Sequence, residues 1–332
     1  HSSVHNGVRV HYLGTWMQYR TTSLNPGVIT FCFSQLRNFD VVHIVGMYET
    51  IGAAVSIFAS LWKIPYVFEP SGMLVPILRS FRKKFVYSMV LGRRMATKAQ
   101  RVIATSVQEA TEITQNGICE DSVSIRRNGV DLNEYAELPR YGRMRSRLGI
   151  PSCAYVFLYL GRLCPIKQIE VLIEAFAQLR RQDSWLLVAG PDEKDGYEEF
   201  LKDVAARTGM SARIRFTGPL YQQAKLEALV DADQFVMPSE SESWGNAAAE
   251  AIAAGTPVIV TDRCGLAPFI KNRVGLVVPG NTTDIRCAMS KLMMDKSLYR
   301  SFVRSTVDVA RDLSWEQPVN QMDGIYRAAI QN

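Results

Sequence analysis

No C-x-x-C pair and no zinc-type spacing occurs among the six cysteines, Cys32, Cys119, Cys153, Cys164, Cys264 and Cys287, and all four histidines fall within the first 43 residues. That scatter offers no metal site and fits a reducing compartment with unpaired thiols. Long apolar runs are missing too. The strongest, "IGAAVSIFASLW" over 51–62, falls well short of the about 20 residues a membrane span needs, and the start shows no signal-peptide pattern, so a cytoplasmic protein is expected. A G-x-G-x-x-G following a strand is absent, as is G-x-x-x-x-G-K-[ST], which excludes the usual dinucleotide fingerprint and the phosphate loop. Any nucleotide must be held in another way.

What is present fills a chain of 332 residues, longer than one core usually serves, so two domains are expected. With 47% hydrophobic residues both can bury a core, and the net charge of +6 is compatible with anionic ligands, acidic lipid or nucleic acid. Short β-branched or aromatic runs recur, each followed by a helical pattern. They are "VRVHYL", "VVHIVG", "YVFEP", "RVIATS" and "SVSIRRNG" in the first half, then "YVFLYLG", "WLLVAG", "RIRFTG", "QFVMPS", "PVIVTD" and "GLVVPG". Nearly continuous apolar strands alternating with helices predict parallel sheets covered on both faces. The polar "PRYGRMRSRLGIP" reads as a linker, dividing the chain into 1–150 and 151–332, each a doubly wound α/β domain with ligands at the carboxyl ends of its strands.

Two motifs carry chemistry. "FLYLGRLCPIKQIEVLIEAF" reads as strand, loop and amphipathic helix, which places Arg162 and Lys167 in a loop where a parallel sheet presents its ligands. Two cations there can grip a diphosphate, the arginine bidentately and the lysine as a point charge, or they can be solvated surface charges. "WGNAAAEAIAAG" predicts a helix from Asn246 that stops at Gly255. Around its start stand only Gly245, Asn246, Ala247 and Ala248, so a ligand can reach the unpaired N–H groups and the positive end of the helix dipole. Glu250 lies four residues beyond Asn246, one too many for a capping box, and leans back toward the amino end. Glu242 precedes the helix. Two carboxylates flanking an anion site suit the hydroxyls of a ribose and a hexose better than phosphate; the plain alternative is two solvated acids.

At these residues the second half resembles the retaining glycosyltransferases of family 4, whose GT-B fold pairs two facing Rossmann-like domains. The likeness is carried by "GRLCPIKQIEVLIEAF", "VAGPDE", "FTGPLYQQAKLEALVDADQFVMPS" and "ESWGNAAAEAIAAGTPVIVTD", the last holding the E-x7-E motif on Glu242 and Glu250. "DVVHIVG", "IPYVFEPSGML" and "RRNGVDLNEY" extend it through the first half, and "SWEQPVNQMDGIYRAAI" resembles a final helix, about 315–330, that crosses back. The resemblance implies a hexosyltransferase using a UDP- or GDP-sugar, retaining and metal-independent, with no other cofactor. It assigns the diphosphate to Arg162 and Lys167, the ribose to Glu250 and the sugar ring to Glu242. The N–H groups of Asn246, Ala247 and Ala248 would meet sugar and phosphate, with Gly190, Pro191 and Leu220 near the base. Ser71, Gly72 and Met73 would line the acceptor side. Relatives commonly read P-H-G where this chain has Pro70-Ser71-Gly72, so no imidazolium charge is available there. They also begin with a strand, a Gly-rich turn, a helix and another strand, whereas this chain opens near "NGVRVHYLG", so its amino-terminal domain reads as incomplete.

Between Glu69 and Glu109 no acidic residue occurs, yet Arg79, Arg82, Lys83 and Lys84 interleave with Phe81, Phe85 and Val86. That pattern reads as a basic amphipathic helix able to rest on an anionic membrane, or as an ordinary helix with a solvated basic face. Nucleic acid is not expected, since no recognition motif accompanies the charge. The expectation is therefore transfer to a glycan or lipid-linked acceptor in polysaccharide or glycolipid synthesis, peripheral to the inner membrane face. The alternatives are a silent nucleotide- or lipid-binding module, and an epimerase or phosphorylase of the same fold.

Overall fold

A computed structural model describes residues 2–19, 22–74 and 91–331. Arg79, Arg82, Lys83 and Lys84 of the basic stretch lie outside the described residues. The chain divides into two compact units, one comprising His1–Arg127 with Val319–Asn332 and the other Asn128–Pro318. The division falls between Arg127 and Asn128 rather than at 150. "PRYGRMRSRLGIP" is not a free linker: it contains the helix Arg143–Leu148, whose Arg145 is 1% exposed. Arg145 NH2 donates to the Asp231 carbonyl at 2.7 Å and to Asp233 Oδ2 at 2.8 Å, and its backbone N–H donates to Asp231 Oδ2 at 2.9 Å. Cations and glycines in this stretch read as solvated because their partners stand far along the chain.

In unit 1 four parallel strands, β5 (Val42–Val45), β6 (Tyr66–Glu69), β7 (Arg101–Ala104) and β8 (Val123–Ile125), lie in sequential order. The run "VRVHYL" does not join them. Its β2 (Val8–His11) pairs antiparallel with β1 (Ser2–His5), and Val4 and Val8 are 65% and 64% exposed. The turn between them is Asn6-Gly7 with φ of 49° and 82°, the Asn-Gly chemistry that closes two-residue hairpins. β3 (Met17–Tyr19) and β4 (Thr22–Leu24) form a second hairpin.

All six apolar runs of the second half become one parallel sheet in unit 2. Its strands are β9 (Tyr155–Leu160), β10 (Ser184–Ala189), β11 (Ile214–Gly218), β12 (Gln234–Met237), β13 (Val258–Thr261) and β14 (Gly275–Val278), in the order β11-β10-β9-β12-β13-β14. Successive side chains of β9 enter opposite cores. Val156 and Leu158 pack with Trp185, Leu229 and Ile252, while Phe157 and Tyr159 pack with Leu172, Phe176 and Leu201. Both faces are covered, so every position must be apolar, and each fully buried aliphatic or aromatic side chain contributes about 1.5–3 kcal/mol.

Candidate functional site

Strand order in unit 2 reverses between β9 and β12, and connections leave those strands in opposite directions. The carboxyl ends of strands at such a switch point are where doubly wound sheets take ligands. The loop after β9 carries Arg162 and Lys167; the loop after β12 carries Glu242.

Backbone contacts fix both loops. Gly161 donates to the Ala189 carbonyl at 2.9 Å and Leu163 to the Pro191 carbonyl at 3.0 Å, so the turns after β9 and β10 run side by side. At Gly190 a Cβ would stand 1.7 Å from the Gly161 oxygen, which no side chain tolerates. Glu240 N–H donates to the Ile166 carbonyl at 2.9 Å, tying the β12 loop to the β9 loop. On its other side Glu242 N–H donates to the Arg263 carbonyl at 3.0 Å, and Gly265 donates back to Glu242 at 2.9 Å. Trp244 anchors the loop, 2% exposed and edge-on to Phe269 at 5.4 Å.

The helix Asn246–Ala253 starts at the predicted residue, with Gly245 as its cap at φ 108°, and Gly255 follows it at φ 88°. A Cβ at Gly245 would lie 2.8 Å from Cys264 Sγ, so the turn into the helix admits glycine alone. Burial, reinforced by the charge of Glu242, pushes the Cys264 thiol up to about 12, so it packs as a protonated thiol. The N–H groups of Asn246 and Ala247 have no acceptor among the described residues. Ala248 differs from expectation: it is fully buried, and its N–H donates to the Gly245 carbonyl at 3.0 Å, which leaves it nothing to offer a ligand.

Each charged candidate of unit 2 is paired. Lys167 Nζ hydrogen-bonds Glu242 Oε2, both side chains being less than one-fifth exposed. Arg162 pairs with Glu193 at 2.6 Å, with its side chain 64% exposed. Glu250 Oε1 accepts from Lys225 Nζ at 3.0 Å, and Lys225 also stands 3.8 Å from Glu134. Asn246 Oδ1 accepts from Asn128 Nδ2 at 3.1 Å. Lys167 and Glu242 are thus brought together, whereas Arg162 and Glu250 each meet a partner that the motifs did not name. Gly190 donates to the Gly218 carbonyl at 3.0 Å, Pro191 is exposed, and Leu220 is half-buried against the core that holds Trp244.

Sequence reasoning missed Glu193, Lys225, Glu134 and Asn128. Glu193 stands in "VAGPDE" at the carboxyl end of the strand beside β9, and the strand-end rule reaches it. Lys225 sits in an unremarkable helix, Gln222–Asp231, and nothing local marks it. Among the described residues no group of three or more His, Cys, Asp or Glu is arranged for a metal.

In unit 1 the segment after β6 holds Ser71 and Gly72 at φ 52° and 76°. A left-handed serine costs about 1–2 kcal/mol, and the contacts around it hold it there. The Gly72 N–H donates to the buried Glu109, whose other oxygen accepts from Thr105 N–H at 2.8 Å and Thr105 Oγ1 at 2.6 Å. Met73 N–H donates to the Pro70 carbonyl at 3.1 Å. Beneath this turn Glu69 pairs with Arg126 and lies 3.4 Å from His43 Nε2, and His43 Nδ1 meets Tyr326 Oη at 2.8 Å.

Comparison with known proteins puts the geometry in context. A D-inositol 3-phosphate glycosyltransferase of Streptomyces bingchenggensis is 31% identical over 243 residues, 70% of this chain and 53% of the relative. That of Corynebacterium efficiens is 28% identical over 318 residues, covering 91% and 74%. The chain spans little more than half the length of several of the curated relatives it matches. Sucrose-phosphate synthase from Thermosynechococcus elongatus has the same fold at a TM-score of 0.80 and 19% identity, over 98% of this chain and 85% of that one. HepE of Anabaena, in complex with UDP and glucose, superposes at 0.81 and 19% identity over 92% and 82%. These are GT-B structures, as the resemblance implied. The description "Glycosyl transferase 4-like domain" matches residues 1–129. "Glycosyl transferases group 1" matches residues 142–307, half of the chain, and the chain belongs to that family.

Proposed function

We propose that the chain transfers a hexose from a UDP- or GDP-sugar to a glycan or lipid-linked acceptor, with retention at the anomeric carbon and without a metal. The observation that carries this reading is the Lys167–Glu242 pair, which joins the loops after β9 and β12 where the strand order reverses, its glutamate four residues before the helix that starts at Asn246. Departure of the diphosphate develops negative charge. Arg162, Lys167 and the amides of Asn246 and Ala247 would stabilise it, and such preorganised donors supply much of the acceleration in reactions of this kind. Lys167 has three donors, so it can keep Glu242 in place while meeting a phosphate oxygen. Glu242 then addresses the sugar ring, Glu250 the ribose, and the turns at Gly190, Pro191 and Leu220 the base. HepE has been captured with UDP-glucose, which supports a nucleotide sugar as donor here.

The acceptor falls to unit 1, where the strained turn Ser71-Gly72-Met73 offers a hydroxyl and backbone groups. The basic stretch 79–84 would hold the protein on an anionic membrane at its cytoplasmic face. No helix among the described residues is long and apolar enough to cross one.

The test is a thermal-shift screen of nucleoside diphosphates, followed by product analysis with donor and acceptor. A ligand at 100 times its Kd adds about 2.7 kcal/mol, so the cognate nucleotide should stand out. A chain stabilised by no nucleoside diphosphate overturns the reading; stabilisation without sugar release assigns it to a silent binding module. Neutralising Arg82, Lys83 and Lys84 together should release the protein from anionic vesicles, and unchanged binding removes the membrane role.

A further inference from the structure

We propose that Lys225 positions the Glu250 carboxylate, and that preference for ribose over deoxyribose in the nucleotide depends on it. The inference rests on the ribose role given to Glu250 above and extends it to a residue outside the motifs.

Lys225 lies on the helix Gln222–Asp231, Glu250 on Asn246–Ala253, and Glu134 in the short turn Leu132–Tyr135. The lysine ammonium joins all three elements, at 3.0 Å from Glu250 Oε1 and 3.8 Å from Glu134 Oε2, with the ring of Tyr135 centred 5.9 Å away. Its side chain is 18% exposed and that of Glu250 26%, so neither floats freely in water. The Tyr135 hydroxyl is buried without a hydrogen-bond partner. Burial first, then the charges of Glu250 and Glu134, push its ionisation far up and keep it a neutral phenol.

A carboxylate must hold a fixed orientation to accept from adjacent ribose hydroxyls. An ionised carboxylate offers about four lone-pair sites, and Lys225 occupies one on Oε1, leaving Oε2 and the remaining sites for the ligand. The ammonium and the ribose hydroxyls are all donors, so the lysine takes one acceptor site and holds the carboxylate while the others stay open to the ribose. Without it, the carboxylates of Glu134 and Glu250 would face each other across the vacated space and repel. Glu250 would turn away from the helix start, where the proposed reading puts the nucleotide.

The experiment compares UDP or GDP, whichever binds the unaltered chain more tightly, with its 2′-deoxy form by calorimetry. It uses the unaltered chain, Glu250→Ala, Lys225→Gln and Lys225→Arg, each checked by thermal denaturation. Lys225→Met, which keeps the apolar stem, replaces the glutamine variant should that one unfold. The unaltered chain should prefer ribose on the order of tenfold to a hundredfold, the range of a hydrogen bond to a charged group. Glu250→Ala and Lys225→Gln should each abolish most of that preference while changing deoxynucleotide affinity little, and Lys225→Arg should restore part of it. If Glu250→Ala loses the preference and Lys225→Gln keeps it, the inference fails and the reading of Glu250 stands. If neither variant loses it, or the unaltered chain has none, the reading of Glu250 falls and takes the inference with it. Equal weakening of both nucleotides by Lys225→Gln would make the lysine a direct phosphate ligand or a support of the fold, and also overturns the proposal.

Discussion

The ammonium of Lys167 and the carboxylate of Glu242 share a hydrogen bond that links the loops following β9 and β12. Without ligand each neutralises the other, so a half-buried charge is left unpaired on neither side. In the proposed reaction an arriving diphosphate would meet a cation already aimed by its partner.

Lys167→Ala should therefore weaken nucleoside diphosphate binding on the order of tenfold to a hundredfold, the equivalent of about 1.5–3 kcal/mol for a charge-assisted hydrogen bond. Glu242→Gln should keep that binding within a few-fold and lose sugar transfer by roughly a hundredfold, because its contact matters as the ring develops charge. Calorimetry and product formation separate the two. A Lys167 variant that binds as tightly as the parent would remove the diphosphate role.

If Arg162 holds the diphosphate as proposed, Glu193 competes for the same guanidinium. The pair is largely exposed, so breaking it should change stability by less than about 1 kcal/mol. Glu193→Gln frees the guanidinium, and diphosphate affinity should rise a few-fold at low salt, with the gain fading as salt screens it. Weaker binding in a titration of this variant would show instead that Glu193 itself touches the ligand.

Arg145 is a buried cation whose partners are Asp231 and Asp233. Arg145→Leu removes the charge and strands acceptors, which should cost about 3–5 kcal/mol. Urea unfolding followed through the fluorescence of Trp185 and Trp244, both in unit 2, reads the loss. Unchanged stability would mean that the stretch 139–151 is the linker its composition suggests.

Acid should loosen unit 1 through Glu69. Burial raises the ionisation of this carboxyl, but the neighbouring His43 ring, 3.4 Å away, and the Arg126 guanidinium outweigh it and hold it below its ordinary 4.5. A lowered folded value stabilises the fold above 4.5, and that contribution disappears as pH falls through the folded value. Glu69→Gln should be clearly less stable than the parent at neutral pH, and the gap should narrow from pH 5 toward pH 3 in thermal scans. A gap independent of pH would assign the loss to packing alone.

Much of unit 2 was legible because its signals are local. Residues of β9 alternate between two dry cores and must all be apolar, and Gly245 and Gly255 mark both ends of the Asn246 helix. The positions of Arg162, Lys167 and Glu242 followed from strand ends. What the sequence hid were relations between distant positions. Arg145 looks like a surface cation until Asp231 and Asp233 are brought beside it, and Lys225 looks like any helix lysine until Glu250 faces it. "VRVHYL" has the composition of a buried strand, and only the preceding Asn6-Gly7 says that it turns back on its neighbour. Ala248 was misjudged because a small residue near a helix start need not offer its amide; here the Gly245 carbonyl takes it.

Gly161 and Gly190 touch so closely that the two turns cannot be altered one at a time. If these turns meet the base as proposed, mutant libraries meant to change which base is accepted should hold Gly190 constant and vary Pro191 and Leu220 instead. A substitution at Gly190 would force the two turns apart and be misread as a change in selectivity.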